Sequence, residues 1–134
     1  MKLFKTLFIV LTLSLVSMTA MAQAVAPPGC TMMKQGGWFK MGDISDTSNY
    51  LVISSSSQTE YYNYKRYWVR SSIRWISECE YELTVLSINY PGLLCKRGDK
   101  MTVKVLSGDA NSISYEAIID GRKERGRYLK MNTK

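Results

Sequence analysis

The sequence predicts an all-β domain built as a single antiparallel meander of about eight short strands, on three observations. Apolar and polar residues alternate with period two in short segments rich in Tyr, Val, Ile, Trp and Thr. Gly, Asn, Asp and Ser separate those segments at hairpin spacing, and no amphipathic helical pattern is found after residue 22. A meander of this size closes into a small up-and-down barrel, lipocalin-like in shape, or stays a curved half-barrel folded over its core.

The chain opens with a signal helix. Lys2 and Lys5 precede the apolar run from Leu7 to Val16, and Ala20-Met21-Ala22 offers small residues for cleavage before Gln23, so residues 1–22 read as a secretory signal peptide. The run is shorter than the roughly 20 residues a spanning helix needs, and Ser14, Ser17 and Thr19 dilute its end. Cys30 lies too far beyond Ala22 to be a lipid-attachment cysteine. The expected address is therefore periplasmic or extracellular, with no transmembrane anchor after cleavage. Residues 23–29, with Pro27-Pro28, read as an extended leader, and residues 30–134 as one β domain with a single core.

Within that domain the expected strands are Gly37 to Met41, Tyr50 to Ser55, Thr59 to Arg66, Trp68 to Ile76, Glu80 to Ile88, Lys100 to Ser107, Ser112 to Asp120 and Glu124 to Met131. Ser107-Gly108-Asp109-Ala110-Asn111 suits a hairpin, Asp120-Gly121 is a strong turn dipeptide, and Ser77-Glu78 separates two well-patterned strands. In the fourth strand Val69, Ser71, Ile73 and Trp75 share one face, while Arg70, Ser72 and Arg74 take the other. In the fifth, Tyr81, Leu83 and Val85 oppose Glu80, Glu82 and Thr84. A tight hairpin then places the two Arg near the two Glu on the outside, where such pairs set register more than stability. Met101, Val103 and Val105, then Ile113, Tyr115, Ala117 and Ile119, continue the inward face. Trp75, Tyr81, Met101 and Tyr115 are the large side chains expected inside the barrel.

Charge is uneven along the chain. Gln23 to Cys95 holds 6 Lys+Arg against 6 Asp+Glu, whereas Lys96 to Lys134 holds 10 against 5. The basic C-terminal third would attract anionic envelope surfaces, although Lys100, Lys104, Arg127 and Lys130 alternate with apolar residues as solvent-facing strand positions do. No specific nucleic-acid site is read from it. The chain has 3 Cys and no His. Export favours one disulfide and one remaining thiol, and the residues alone leave three pairings open. Closing Cys30 to Cys79 would stabilise by about 4 kcal/mol and Cys79 to Cys95 by about 3, too similar to choose between them. The absence of histidine removes the usual general base, His-ligated zinc and every Ser-His or Cys-His nucleophile pair.

Trp75-Ile-Ser-Glu-Cys79-Glu80-Tyr81-Glu-Leu83 resembles the W-x3-C-E-Y-x-L core of a functionally uncharacterised family of small exported bacterial all-β proteins. Cys30 followed by Gly37-Trp38-Phe39-Lys40, Gln58-Thr59-Glu60, Gly98-Asp99-Lys100-Met101-Thr102-Val103, Ser114-Tyr115-Glu116 and Gly126 are similar to further segments of it. The resemblance implies a fold rather than an activity. It also implies pairing of Cys30 with Cys79, with Cys95 as a departure from the pattern, either free or a competing partner.

Candidate sites are few. Glu78, Glu80 and Glu82 with Asp99 invite a paired-carboxylate reading, but alternation puts Glu80 and Glu82 at neighbouring outer positions with no pocket around them. Cys95 is flanked by Lys96 and Arg97, which would lower a thiol pKa, yet the base it would need is missing. No catalytic residue, metal site or cofactor is assigned. Among the aromatic residues, Tyr62, Tyr64 and Trp68 are expected outward, as a strip on which a ligand or partner could stack. The reading is an exported, monomeric, non-enzymatic β-barrel-like domain that binds a small ligand or an envelope partner. The alternative is a structural or interaction protein held on anionic envelope surfaces by its basic C-terminal third.

Overall fold

A computed structural model describes residues 27–42 and 46–132. The expected signal peptide and most of the expected 23–29 leader lie outside the described residues. The domain is a closed barrel of eight antiparallel strands: β1 (Gly37–Met41), β2 (Tyr50–Ile53), β3 (Ser57–Tyr62), β4 (Tyr67–Ser77), β5 (Glu80–Ile88), β6 (Lys100–Gly108), β7 (Ser112–Ile119) and β8 (Arg122–Lys130). Each strand pairs with the next, and β8 returns to β1 with Met41 opposite Tyr128. Closure leaves no edge strand to manage. The expected strands are all present; the third is shorter, because residues 63–66 form a turn in place of its second half.

Register turns period-two alternation into an inside and an outside. Phe39 faces Leu51, Ile73 faces Leu83, Tyr81 faces Val103 and Ile113 faces Tyr128, and these side chains form the core. The outside carries charge ladders. Arg74 and Lys100 both reach Glu82 Oε1, at 3.3 and 3.2 Å, while Lys123 and Arg125 hold Glu116 at 3.5 and 3.1 Å. These cations keep both carboxyls below the usual range, the Lys100 contact leading at Glu82 and the Arg125 contact at Glu116. Only one of the two expected Arg–Glu pairs forms between β4 and β5. Arg70 stands opposite Ser87, several residues along β5 from both Glu80 and Glu82, and its guanidinium lies over Trp68 instead.

The leader expectation fails at its end. Pro28–Gln35 is a helix, α1, where extended chain and no helix were expected. Pro28 occupies the first helical turn, where its missing N–H has no partner to lose, and Pro27 before it is extended. Only eight residues long, α1 owes its stability to packing rather than propensity. Cys30, Met32 and Met33 are buried beneath one end of the barrel, and Cys30 is bonded to Cys79 in the β4–β5 turn. Gly29 meets Gly108 at the end of β6, where a Cβ on Gly108 would sit 2.6 Å from Gly29 Cα. Two glycines in register are what let the helix lie directly against the strand.

Asp109 closes the adjacent β6–β7 turn by accepting the N–H groups of Asn111 and Ser112, both at 2.8 Å. Those bonds hold its carboxyl below the usual range.

Candidate functional site

With α1 closing one end, the interior opens at the opposite end of the barrel into a cavity of about 1130 Å³. Its walls are the inward side chains Val69, Leu83, Val85, Met101, Val103 and Ala117, and its mouth is formed by residues 92–96 and the β7–β8 turn at Asp120. Trp75 and Tyr81 pack at 4.9 Å toward the closed end, with Lys34 of α1 5.1 Å over the Trp75 ring. They fill the barrel there. Met101 and Tyr115, also expected inside, line the cavity without filling it.

Tyr115 lies back against the barrel wall because of Gly126. The two are cross-strand partners, and a Cβ on Gly126 would lie 2.3 Å from the Tyr115 hydroxyl. The ring therefore lies flat over the glycine and stacks on Tyr128 at a centroid distance of 4.2 Å. A glycine in the middle of a strand costs stability in itself, and here it makes space for a neighbouring ring.

One polar group is built into the interior. Along β3, Gln58, Glu60 and Tyr62 share the inward side, opposite Ser71, Val69 and Tyr67 of β4. Gln58 Nε2 donates to Glu60 Oε1 at 2.8 Å, and the Tyr62 hydroxyl donates to Glu60 Oε2. Both carboxylate oxygens are thus held in place. Gln58 Oε1 and the Tyr81 hydroxyl are buried with no protein partner among the described residues. Burial, with the Glu60 charge adding to it, raises the hydroxyl pKa of Tyr62, Tyr81, Tyr115 and Tyr128.

Tyr62 is therefore a correction: expected outward, it is an interior residue. An inward face is normally read as the apolar one, and β3 inverts the rule by pointing Gln58, Glu60 and Tyr62 inside. Tyr64, by contrast, is exposed on the β3–β4 turn, and Trp68 is half-buried on the outer face. An outer aromatic row does exist, made mainly of other rings: Trp38 stacks on Tyr50 at 5.4 Å, Tyr50 meets Tyr61 at 5.1 Å, and Tyr61 is opposite Trp68. Lys65 lies 6.0 Å over Trp38 and 5.8 Å over Tyr61, shading that row with a cation.

The mouth has its own construction. Tyr90, at the start of the 89–99 connection, sits 4.9 Å from both Tyr62 and Tyr67. The connection is pinned at its ends, where Trp68 N–H donates to Asn89 Oδ1 at 2.6 Å and Val85 N–H to Asp99 O at 2.9 Å. Between the pins Leu93 and Leu94 are exposed. Beside this connection, in the β3–β4 turn, Asn63, Tyr64 and Lys65 all have positive φ, an uncommon run for residues with side chains. Hydrogen bonds from Asn63 N–H to Asn49 Oδ1 and from Tyr64 N–H to Ser48 O hold it.

Cys95 lies half-buried beside this mouth, and its neighbours differ from those expected. Burial first, then the charges of Glu60 and Asp99, raises its thiol pKa, so adjacency to Lys96 and Arg97 in sequence does not activate it. The paired-carboxylate reading is also dispersed: Glu78 pairs with Lys34 of α1 at 3.1 Å, Glu82 with two cations, and Asp99 accepts the Lys96 N–H at 2.9 Å. Among the described residues no helix is long and apolar enough to cross a membrane. Comparison with protein-family models, curated proteins and solved structures finds no match to this chain.

Proposed function

We propose that this is an exported, non-enzymatic binding protein that takes a small, largely apolar molecule into the open end of its barrel. The observation that carries this reading is the cavity itself, open at one end of the barrel, walled largely by aliphatic side chains and large enough to enclose a small ligand. The Cys30–Cys79 bond supports export, since disulfides persist in oxidising compartments. The resemblance around Trp75 to Leu83 is to exported proteins as well. A non-enzymatic role is supported by the raised pKa of Cys95, which leaves the thiol beside the mouth a poor nucleophile at neutral pH.

The test is a fluorescence titration with N-phenyl-1-naphthylamine, an uncharged apolar probe, on the wild-type protein and on Val85→Trp, which places an indole inside the cavity wall. Saturable enhancement at micromolar probe, weakened at least about tenfold in the variant, is the expected result. Absence of saturable binding, or equal binding by the two proteins, removes the cavity as the site.

A further inference from the structure

Resting on the cavity reading above, we infer that Glu60 is the polar anchor of the site and that the preferred occupant is an amphiphile with a cationic, hydrogen-donating head, an alkyl or aryl amine, on an apolar body. The features of the interior around Glu60 converge on this class.

Glu60 is an inward carboxylate without a counter-charge among the described residues. Glu78, Glu82 and Glu116 each have a Lys or Arg partner, whereas none of the described ion pairs involves Glu60. A carboxylate left unpaired in an aliphatic chamber is costly, and a ligand that brings the positive charge offsets that cost.

The carboxylate is also held ready. Gln58 fixes one oxygen and Tyr62 the other, so the group is oriented before anything binds, and each oxygen retains acceptor capacity beyond the single bond it makes. Tyr62 gives its one O–H and Gln58 one of its two amide N–H to Glu60, and Gln58 Oε1 is a further buried acceptor. The polar spot is therefore rich in acceptors. It matches an ammonium, which has donors and no acceptor, and mismatches a carboxylate head.

The rim is mixed in charge: Asp99, Asp120 and Glu124 line it together with Lys96, Lys100, Arg122 and Arg125, of which Lys100 and Arg125 also reach Glu82 and Glu116 on the outer face. The choice of head group therefore rests on Glu60 inside. The aliphatic walls then bury the apolar body.

The test displaces bound N-phenyl-1-naphthylamine with decylamine, decanol and decanoate, which share an apolar tail and differ in the head. Decylamine is expected to displace the probe at a concentration at least about tenfold below decanoate, with decanol between them. Glu60→Gln should shrink the amine preference to within about threefold while leaving decanol unchanged. Decanoate equal to or tighter than decylamine overturns the amine assignment while the cavity reading stands, as does a preference that survives Glu60→Gln. Failure of the probe and of all three ligands to bind instead removes the cavity reading. The three-ligand comparison on wild-type protein decides the head group even if Glu60→Gln folds poorly.

Discussion

At one end of the barrel, α1 drives Cys30, Met32 and Met33 beneath the turns, a disulfide ties it to the β4–β5 turn, and facing glycines bring its backbone against β6. At the other end the same strands run out into a chamber ringed by the 89–99 connection, a left-handed turn and an aspartate-glycine turn, with Leu93 and Leu94 exposed. One sheet thus makes a filled end and an open end. The cause of the difference lies outside the strands, because alternation delivers an inward face along their whole length and, among the described residues, the closed end alone receives a helix to pack on it. Stability should concentrate at the closed end and recognition at the open one.

The largest effect expected is at the closed end. Replacing Cys30 and Cys79 together by serine removes a cross-link spanning 49 positions and should cost about 4 kcal/mol in the chain-entropy description, read as a lower urea midpoint. Probe binding per folded molecule should be little changed. A variant that keeps its stability but loses binding would reverse the proposed division of labour.

Gly126→Ala should join the two ends. The new methyl displaces Tyr115 from its place over β8 toward the lumen, at a cost of about 1–3 kcal/mol for overpacking, and reduces probe binding at the same time. Loss of stability with unchanged binding would mean that the ring does not border the ligand. Smaller still is Leu93→Ser with Leu94→Ser: both side chains are exposed, so stability should move by no more than about 0.5 kcal/mol. Probe affinity should fall if the connection covers the occupant, and equal affinity would restrict binding to the chamber walls.

The smallest effects are those of pH. Glu82, Glu116 and Asp109 have folded pKa values below their ordinary ones, so the stability they add is complete above the unfolded carboxyl values and is lost as pH falls through the depressed folded values. The melting temperature should be nearly flat from about pH 8 to about pH 5 and decline below that. Tyr62, Tyr81, Tyr115 and Tyr128 behave in the opposite sense. Their raised values make a contribution that is present below the ordinary phenol value and is lost as pH rises beyond it, so near-ultraviolet absorbance should show these hydroxyls ionising only with alkaline unfolding. Normal titration of all 9 Tyr in the folded protein would contradict the packed interior described here.

Legibility in the sequence divides along the same line. The eight strands, their hairpin order and the inward rows of β4 to β7 are readable from alternation, since the buried side of those strands is apolar or nearly so. The polar part of the site is hidden because it breaks that rule: Gln58, Glu60 and Tyr62 sit at alternate positions, which marks a shared face, but nothing in their chemistry says that this face is the inner one. Their register against Ser71, Val69 and Tyr67 supplies that information, and only pairing reveals it. The helix α1 is equally hidden, because Pro27-Pro28 reads as a helix breaker until Pro28 is recognised as a first-turn proline. Gly126 carries no separate signal, for its role exists only across the strand from Tyr115.

The most direct measurement is a two-dimensional NMR titration of the protein, recovered from an oxidising compartment, with N-phenyl-1-naphthylamine. Saturating shifts confined to the open end, at Val69, Leu83, Val103, Ala117 and residues 89–99, with α1 unmoved, are the predicted result. Shifts centred on the outer row of Trp38, Tyr61 and Trp68, or none at saturating probe, would contradict it.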